Sequence, residues 1–239
     1  MNLSNPNYWA VVPAAGEGKR LSDYLPKQFQ ILNGLPVAEH TFQRLLGISC
    51  INKIISPCDL SSPYWQNIKA CRDHRIELIS GGQTRAESVM SGLSALKGIA
   101  RPEDWILVHD IARPCVTKSD INKLIVALDG NAVGGILATP VNETLKIVHK
   151  KNHIKKTVDR GNYRLAQTPQ MFRYQVLYDA LTSASDNNMF PTDEASAIEA
   201  MDKDILIIEG RQDNIKITRH EDLMIAESIL TRQEINACV

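Results

Sequence analysis

Between Tyr8 and Lys27 the chain reads YWAVVPAAGEGKRLSDYLPK: an apolar run, Tyr8 to Val12, gives way at Pro13 to small residues and glycines, and the cations Lys19, Arg20 and Lys27 follow. That order suits phosphate. Small side chains let backbone N–H groups approach an anion closely, and the cations neutralise its charge. The chemistry it points to is the holding of a nucleotide triphosphate. It is neither of two familiar phosphate motifs. GEGKR lacks the four intervening residues and the Ser or Thr of a P-loop, and Gly16-x-Gly18 has Leu21 where the dinucleotide fingerprint has its third glycine. The competing reading is a plain turn after a strand, which the flanking cations weigh against.

A loop of this kind needs a strand to carry it and other loops to meet it. Val37 to Leu46 has the apolar spacing of an amphipathic helix, Lys53 to Ser56 reads as a strand, Tyr64 to Cys71 as a helix and Ile76 to Ile79 as a strand. Gly81-Gly82 then breaks the chain before a helix from about Arg85 to Leu96. Trp105 to Val108 is a continuous apolar run, expected of a central strand covered on both faces, and it ends in His109-Asp110. Helix Lys118 to Leu128 and strand Ala132 to Thr139 continue the alternation. A mostly parallel, doubly wound α/β sheet follows, and its ligands gather at the carboxyl ends of strands, so the loops 13–27, 81–88 and 109–114 are expected at one crevice.

Residues 141–164 interrupt this pattern. Thr144 to Val148 and Ile154 to Val158, joined by a polar turn, read as a β-hairpin without a crossover helix, either a projecting arm or a sheet edge. Beyond it, helices are expected at Tyr174 to Ser183 and at Asp193 to Met201 with Thr192 as the cap, and a strand at Ile205 to Ile208. Thr218 and Glu221 have capping-box spacing before a last helix, about Arg219 to Thr231.

Composition narrows the class. The 239 residues fit one α/β domain with the hairpin as an insertion, and 27 basic against 27 acidic residues give no electrostatic case for nucleic acid or a membrane surface. No apolar run reaches the roughly 20 residues of a membrane span, and the N-terminus is not signal-like. Five cysteines without C-x-x-C spacing indicate neither a disulfide framework nor structural zinc, so the expected setting is the reducing cytoplasm.

The segments PAAGEGKRL, PKQF, GGQTRAESV, VHDIARP, TVDR, QTPQMF, TDEASA and EGRQDNIKIT, in that order, resemble the 2-C-methyl-D-erythritol 4-phosphate cytidylyltransferases of the non-mevalonate isoprenoid pathway. The resemblance runs from about Trp9 to the final helix and leaves no room for the cyclodiphosphate synthase fused in some relatives. It implies a Rossmann-like nucleotidyltransferase sheet that joins the cytidylyl group of CTP to a sugar-alcohol phosphate and releases pyrophosphate, with Mg²⁺ bound through the triphosphate. By the same resemblance Pro13, Ala14, Ala15, Gly16 and Gly18 wrap the nucleotide, and Arg20, Lys27 and Lys216 hold the phosphates as catalytic cations. Gly82, Arg85 and Ser88 match the segment that reads cytosine, while Asp110 and Ile111 lie at the ribose, with Asp110 also a candidate metal ligand. Arg113, Thr144, Arg160 and Thr168 match positions that bind the acceptor phosphate, with the hairpin reaching into a second copy of the chain to make a homodimer with composite sites.

Several of these residues carry a plainer reading. Ser88 suits the first turn of a helix, Asp110 suits an ion pair with Arg113, and His109, with no serine or cysteine partner evident, suits a hydrogen-bonded structural role. Ile111 stands where many relatives have alanine. Two other functions compete: a pentitol-phosphate cytidylyltransferase acting on ribitol 5-phosphate, which PAAG and HDIARP disfavour, and a non-catalytic nucleotide-binding regulator, which the retained cations disfavour.

Overall fold

The first strand, β1 (Tyr8–Val11), carries apolar side chains on both faces, so each face needs a cover. In the computed structural model, which describes residues 5–16, 25–149 and 152–237, each face has one. A short ladder of β2 (Ile31–Leu32) and β3 (Leu35–Pro36) leads to helix α1 (Val37–Leu46), then β4 (Ile51–Cys58), β5 (Ile76–Ser80), α2 (Arg85–Ala95), β6 (Trp105–Val108) and α3 (Lys118–Ala127). The chain continues through β7 (Gly134–Pro140), β8 (Lys146–Val148), β9 (Ile154–Thr157), β10 (Arg164–Arg173), α4 (Tyr174–Asp186), α5 (Glu194–Glu199), β11 (Leu206–Glu209) and α6 (Glu221–Ala237).

Seven strands form one sheet in the order β11-β7-β10-β6-β1-β4-β5. Its pairings are parallel except at β10, which runs antiparallel to both β6 and β7. Ala10, Val12, Trp105 and Leu107 pack with Phe42 and Leu45 of α1 and Ile121 and Leu124 of α3 on one side. Trp9, Val11, Ile106 and Val108 pack with Val89 and Leu93 of α2 and Leu177 and Leu181 of α4 on the other. This is the doubly wound α/β architecture expected from the strand and helix alternation. Alignment of β1 with β6 is fixed at their N-terminal ends by buried Asp104, which accepts from the Asn7 N–H (2.8 Å) and the Trp9 indole N–H (3.1 Å). Their carboxyl ends therefore finish level, with Val11 opposite Val108.

Local chemistry sets the boundaries that matter for function. Helix α2 starts at a full capping box, with the Thr84 hydroxyl accepting from the Glu87 N–H and the Glu87 carboxylate accepting from the Thr84 N–H. Where the sequence pattern places a helix at Tyr64 to Cys71, the structure has two 3-10 turns, Pro63–Asn67 and Lys69–Arg72, separated by an extended Ile68. Burial decides this: the Trp65 ring meets Phe29 edge-on and Ile68 is in the core, so both side chains are delivered inward by tight turns rather than by a regular helix.

Two caps also differ from expectation. Asp193, not Thr192, caps α5, its side chain accepting from the Ser196 N–H. Asp222, not Glu221, receives the N–H groups of Thr218 and Arg219 before α6, because it reaches back one residue further than the capping-box spacing suggests. The hairpin predicted within 141–164 is present as β8 and β9, a separate antiparallel ladder whose residues are all exposed.

Inside the sheet, Gly134 has φ +144° and a Cβ placed there would lie 2.2 Å from the Met171 carbonyl oxygen of β10. Both conformation and space exclude a side chain. Gly134→Ala should destabilise the protein by at least about 2 kcal/mol in denaturant unfolding. A change below about 0.5 kcal/mol would mean that β7 and β10 are not packed as described.

Candidate active site

Beyond β1 the backbone keeps pairing with β4 for a short distance, the Val12 N–H donating to the Ile55 carbonyl (2.9 Å) and the Ala14 N–H to the Pro57 carbonyl (2.8 Å). That carries Pro13, Ala14, Ala15 and Gly16 across the strand ends. Beside them, the Gly81 N–H donates to the Cys58 carbonyl (2.9 Å), and a Cβ on Gly81 would come within 2.5 Å of the Ala15 Cβ. Only glycine lets these two loops lie so close. Gln28 secures the loop from the other side, its amide donating to the Ala14 carbonyl at 3.1 Å. PKQF marks this segment for Lys27, and its glutamine also ties it to the phosphate-type loop.

The pocket formed here is lined by Pro13, Ala14, Ala15, Gly16, Lys27, Gly82, Thr84, Arg85, Ser88, Asp110, Ile111 and Lys216, among others. Loops far apart in sequence thus meet at the carboxyl ends of β1, β5 and β6, as the switch-point rule for parallel sheets requires. Gly18 and Arg20, expected to contact the nucleotide, lie outside the described residues.

Asp110 is the electrostatic centre. Its carboxylate meets the Arg85 Nε at 3.0 Å, the Lys216 Nζ at 2.9 Å and, more loosely, the Arg113 Nε at 3.5 Å. Burial alone would raise its pKa, but Arg85 and Lys216 reverse the sign and hold the carboxyl well below the usual carboxylate range. Asp110 is therefore ionised at neutral pH. Arg85 also makes a two-pronged contact with buried Glu194, Nη1 to Oε1 at 2.6 Å and Nη2 to Oε2 at 2.9 Å. Burial works against the Arg85 charge, yet the Glu194 and Asp110 carboxylates outweigh it and keep the guanidinium protonated beyond its ordinary range.

A second set of hydrogen bonds fixes Asp110 through its backbone. The Asp110 N–H donates to the Thr168 hydroxyl oxygen at 3.0 Å, and that hydroxyl also lies 3.0 Å from His109 Nδ1. His109 Nε2 is 3.1 Å from the Arg113 carbonyl, which can only accept, so Nε2 carries the proton and Nδ1 accepts from Thr168. Burial pushes the His109 pKa down to about 4, in keeping with a neutral ring. Thr168 thus has its hydroxyl committed to Asp110 and His109. Arg113 donates from Nη1 to the Asn214 carbonyl (2.8 Å), and Asn214 in turn donates its amide to the Thr168 carbonyl (2.9 Å).

Other expected residues stand differently. The Ser88 hydroxyl accepts from the Gly82 N–H (3.1 Å) and donates to the Thr84 carbonyl (2.9 Å), so what it shapes is the loop. Thr144 and Arg160 are exposed near the hairpin, Arg160 donating to the Asn142 carbonyl, and neither is among the residues lining the pocket of its own chain.

Known proteins match this chain over nearly its whole length. The sequence model of 2-C-methyl-D-erythritol 4-phosphate cytidylyltransferase matches residues 8–232. A protein of that name from Aliivibrio fischeri is 43% identical over 235 residues, 98% of each chain, and one from Vibrio parahaemolyticus is 42% identical over 233 residues, 98% of this chain and 99% of the other. The chain belongs to this cytidylyltransferase family. Its fold agrees: a crystal structure of the Francisella tularensis 2-C-methyl-D-erythritol 4-phosphate cytidylyltransferase superposes with a TM-score of 0.81 at 34% identity, over 93% of this chain and 99% of that one.

Three residues that sequence reasoning does not single out brace the residues around this pocket from outside its lining: Gln28, Glu194 and Asn214. Glu194 and Asn214 lie inside segments that carry the resemblance, TDEASA and DNIKIT, and only the fold shows what they touch.

The buried His109 gives a pH test with a definite sign. Because its folded pKa is depressed, protonation favours the unfolded chain; stability is complete above pH 6.5 and is lost as pH falls from 6.5 towards about 4. The loss attributable to this histidine at pH 4 should be about 3 kcal/mol. Chemical denaturation across that range should show a steeper acid loss for the unaltered chain than for His109→Gln, whereas parallel curves would mean that His109 is not held neutral by burial.

Proposed function

We infer that this chain transfers the cytidylyl group of CTP to 2-C-methyl-D-erythritol 4-phosphate, giving 4-diphosphocytidyl-2-C-methyl-D-erythritol and pyrophosphate. The observation that carries this is the convergence of the small-residue loop 13–16, Lys27, Lys216 and the held Asp110 on one strand-end pocket, in a chain that its family model spans from residue 8 to 232. In the reaction, an oxygen of the acceptor phosphate forms a bond to the α-phosphorus of CTP. The bond from that phosphorus to the β-phosphate oxygen breaks, and its electrons leave with pyrophosphate. Two anions must approach and negative charge grows on the leaving group, so fixed cations and positioning supply the catalysis and no nucleophilic side chain is needed.

The residues divide by position. The 13–16 loop and Gly82 offer close backbone to the nucleotide, Lys27 and Lys216 face its phosphates, and Arg20 is assigned to the same charge by the resemblance alone. Asp110 takes the ribose side, and Ser88 shapes the base-reading loop. Thr168, with its hydroxyl engaged, fixes the Asp110 backbone and serves the acceptor half by holding Arg113 in place through Asn214.

Mg²⁺ is part of the proposal. A carboxylate offers about four acceptor positions, and three of those on Asp110 are used by Arg85, Arg113 and Lys216. Among the described residues no cluster of three or more His, Cys, Asp or Glu could hold a metal. The donor set fits an ion brought in on the triphosphate with Asp110 as one ligand, as Mg²⁺ sites of this kind commonly are. When bound, the ion supplies positive charge to the phosphate oxygens.

A homodimer is proposed as well. Thr144 and Arg160 sit outside their own chain's pocket, and the exposed hairpin near them supports delivery to a second copy. The cytoplasm is the proposed compartment; among the described residues no helix is long and apolar enough to cross a membrane.

Pyrophosphate release with CTP and Mg²⁺ tests the reading, run with 2-C-methyl-D-erythritol 4-phosphate and with ribitol 5-phosphate. Turnover of the first is expected; turnover of ribitol 5-phosphate alone, or of neither, would overturn it. Lys27→Ala should lower kcat by ~100-fold, more than it weakens CTP binding. Arg160→Ala should raise the KM for the acceptor by roughly tenfold or more with little change for CTP, and the reverse pattern would contradict its place in the acceptor half. Full activity from a strictly monomeric chain at assay concentration would sink the composite site.

A further inference from the structure

Glu194 is a buried carboxylate, its side chain 1% exposed, that is not among the residues lining the nucleotide pocket. Both of its oxygens are occupied by the Arg85 fork, and the remaining Arg85 edge, Nε, is turned onto Asp110 at 3.0 Å. A planar guanidinium held at two edges has little freedom to rotate. The next contact outward, Asp110 to Lys216 at 2.9 Å, depends on where that carboxylate is held.

The fold does not need Glu194 to hold α5. That helix is capped by Asp193 and clamped by Gln170 of β10, whose amide donates to the Asp193 carboxylate (2.8 Å) and accepts from the Ala195 N–H (2.9 Å). Ala195, Ala197 and Ile198 pack into the core. A well-packed apolar residue in place of Glu194 would avoid the desolvation of a buried charge, a cost that can exceed the attraction between the two ions. The carboxylate thus has a directional use: without it, the Arg85 fork is free to turn both prongs onto Asp110 and draw it away from Lys216.

We propose that Glu194 is a positioning residue for the nucleotide half of the site, acting through Arg85 to fix Asp110 and, through Asp110, Lys216. Gln170 and Asp193 set Glu194, so the path runs from the antiparallel strand β10 through α5 and α2 to the end of β6. The inference rests on the cytidylyl-transfer reading.

The test uses the full-length chain with Glu194→Gln, Glu194→Asp and Arg85→Lys. Calorimetric titration with CTP and Mg²⁺ should show binding weakened at least tenfold in Glu194→Gln, and kcat/KM for CTP should fall at least tenfold while the KM for 2-C-methyl-D-erythritol 4-phosphate stays within twofold. Glu194→Asp, which keeps the charge but is too short to meet both prongs, should lie between. Arg85→Lys should show the same split, and the double variant with Glu194→Gln should be no more than about twofold worse than the weaker single variant, since both break one path. A Glu194→Gln protein with CTP binding and kcat/KM within twofold of the unaltered chain overturns the inference. So does an equal loss against both substrates or additive effects of the two changes, the marks of a merely structural role. If Glu194→Gln does not fold, as thermal melting would reveal, Glu194→Asp carries the same comparison, because it keeps the negative charge beside Arg85 while losing the two-pronged fit. An unaltered chain that binds CTP but releases no pyrophosphate with either acceptor defeats the transfer reading instead, while the binding comparison still decides the role of Glu194.

Discussion

A buried carboxylate at the end of a central strand cannot stay charged unless cations are brought to it, and the rest of the site is arranged around that requirement at Asp110. The cations come from distant stretches of chain: Arg85 from the first turn of α2, Arg113 from the loop after β6, and Lys216 from the segment before α6. Removing one partner of such a pair typically costs about 3–5 kcal/mol, because the other charge is left buried and uncompensated. Yet the assembled pairs add little net stability over an apolar core. Their contribution is position. Two carboxylates, Asp110 and Glu194, face three cations, Arg85, Arg113 and Lys216, and Lys27 lines the same pocket. On the proposed reading, a polyphosphate entering it would meet cations already held in place, which need no reorganisation when charge moves to the leaving group.

The antiparallel strand of the seven-stranded sheet, β10, explains how so much can be fixed at one point. Gln170 of β10 pairs with Val108, the last residue of β6, so the residues before it lie just past the end of β6. Thr168 is there to receive the Asp110 N–H, and the Gln170 side chain faces the start of α5. A parallel strand in this place would run the other way and would present its residues beyond 170, not before it, at the site. The direction of β10 thus lets a single strand brace Asp110 from its backbone and, by way of Glu194 and Arg85, from its side chain.

Much of the scaffold is legible in the sequence because burial on two faces leaves a plain mark. Tyr8 to Val12 and Trp105 to Val108 are continuous apolar runs, and both form central strands. The small residues after the first of these runs and Gly81-Gly82 after β5 read as loops for the same physical reason that Ala15 and Gly81 approach each other closely in the fold. The ladder of β2 and β3 escapes a reading by pattern, although Asn33-Gly34 has the left-handed backbone that such a tight turn demands, with φ of 46° and 77°. β10 does not read as a strand because its sequence RLAQTPQMFR has no steady period: the first three residues are exposed and the next six buried. Glu194 is harder still. A glutamate is ordinarily a surface residue, and nothing near it in sequence announces a partner 109 residues away. The nucleotide half can be assembled from loops in order, whereas the residues that brace it are found only in three dimensions.

The hairpin poses the opposite problem, since its sequence is clear and its place in one chain is not sufficient to explain it. Among the described residues β8 and β9 are joined to each other and to no other strand, and a two-stranded ladder alone is marginal in water. Ile147, Val148 and Ile154 are nonetheless exposed there. Lys155 and Lys156 of β9 discourage indiscriminate edge pairing but would not oppose a surface that offers them negative charge. A hairpin with exposed apolar residues and protected edges gains stability by packing on one particular surface. That gain, added to the absence of Thr144 and Arg160 from their own chain's pocket lining, supports the proposed second copy of the chain as the place for the arm. On that arrangement the nucleotide half would be rigid before substrate arrives, and the acceptor half would be complete only once two chains had met.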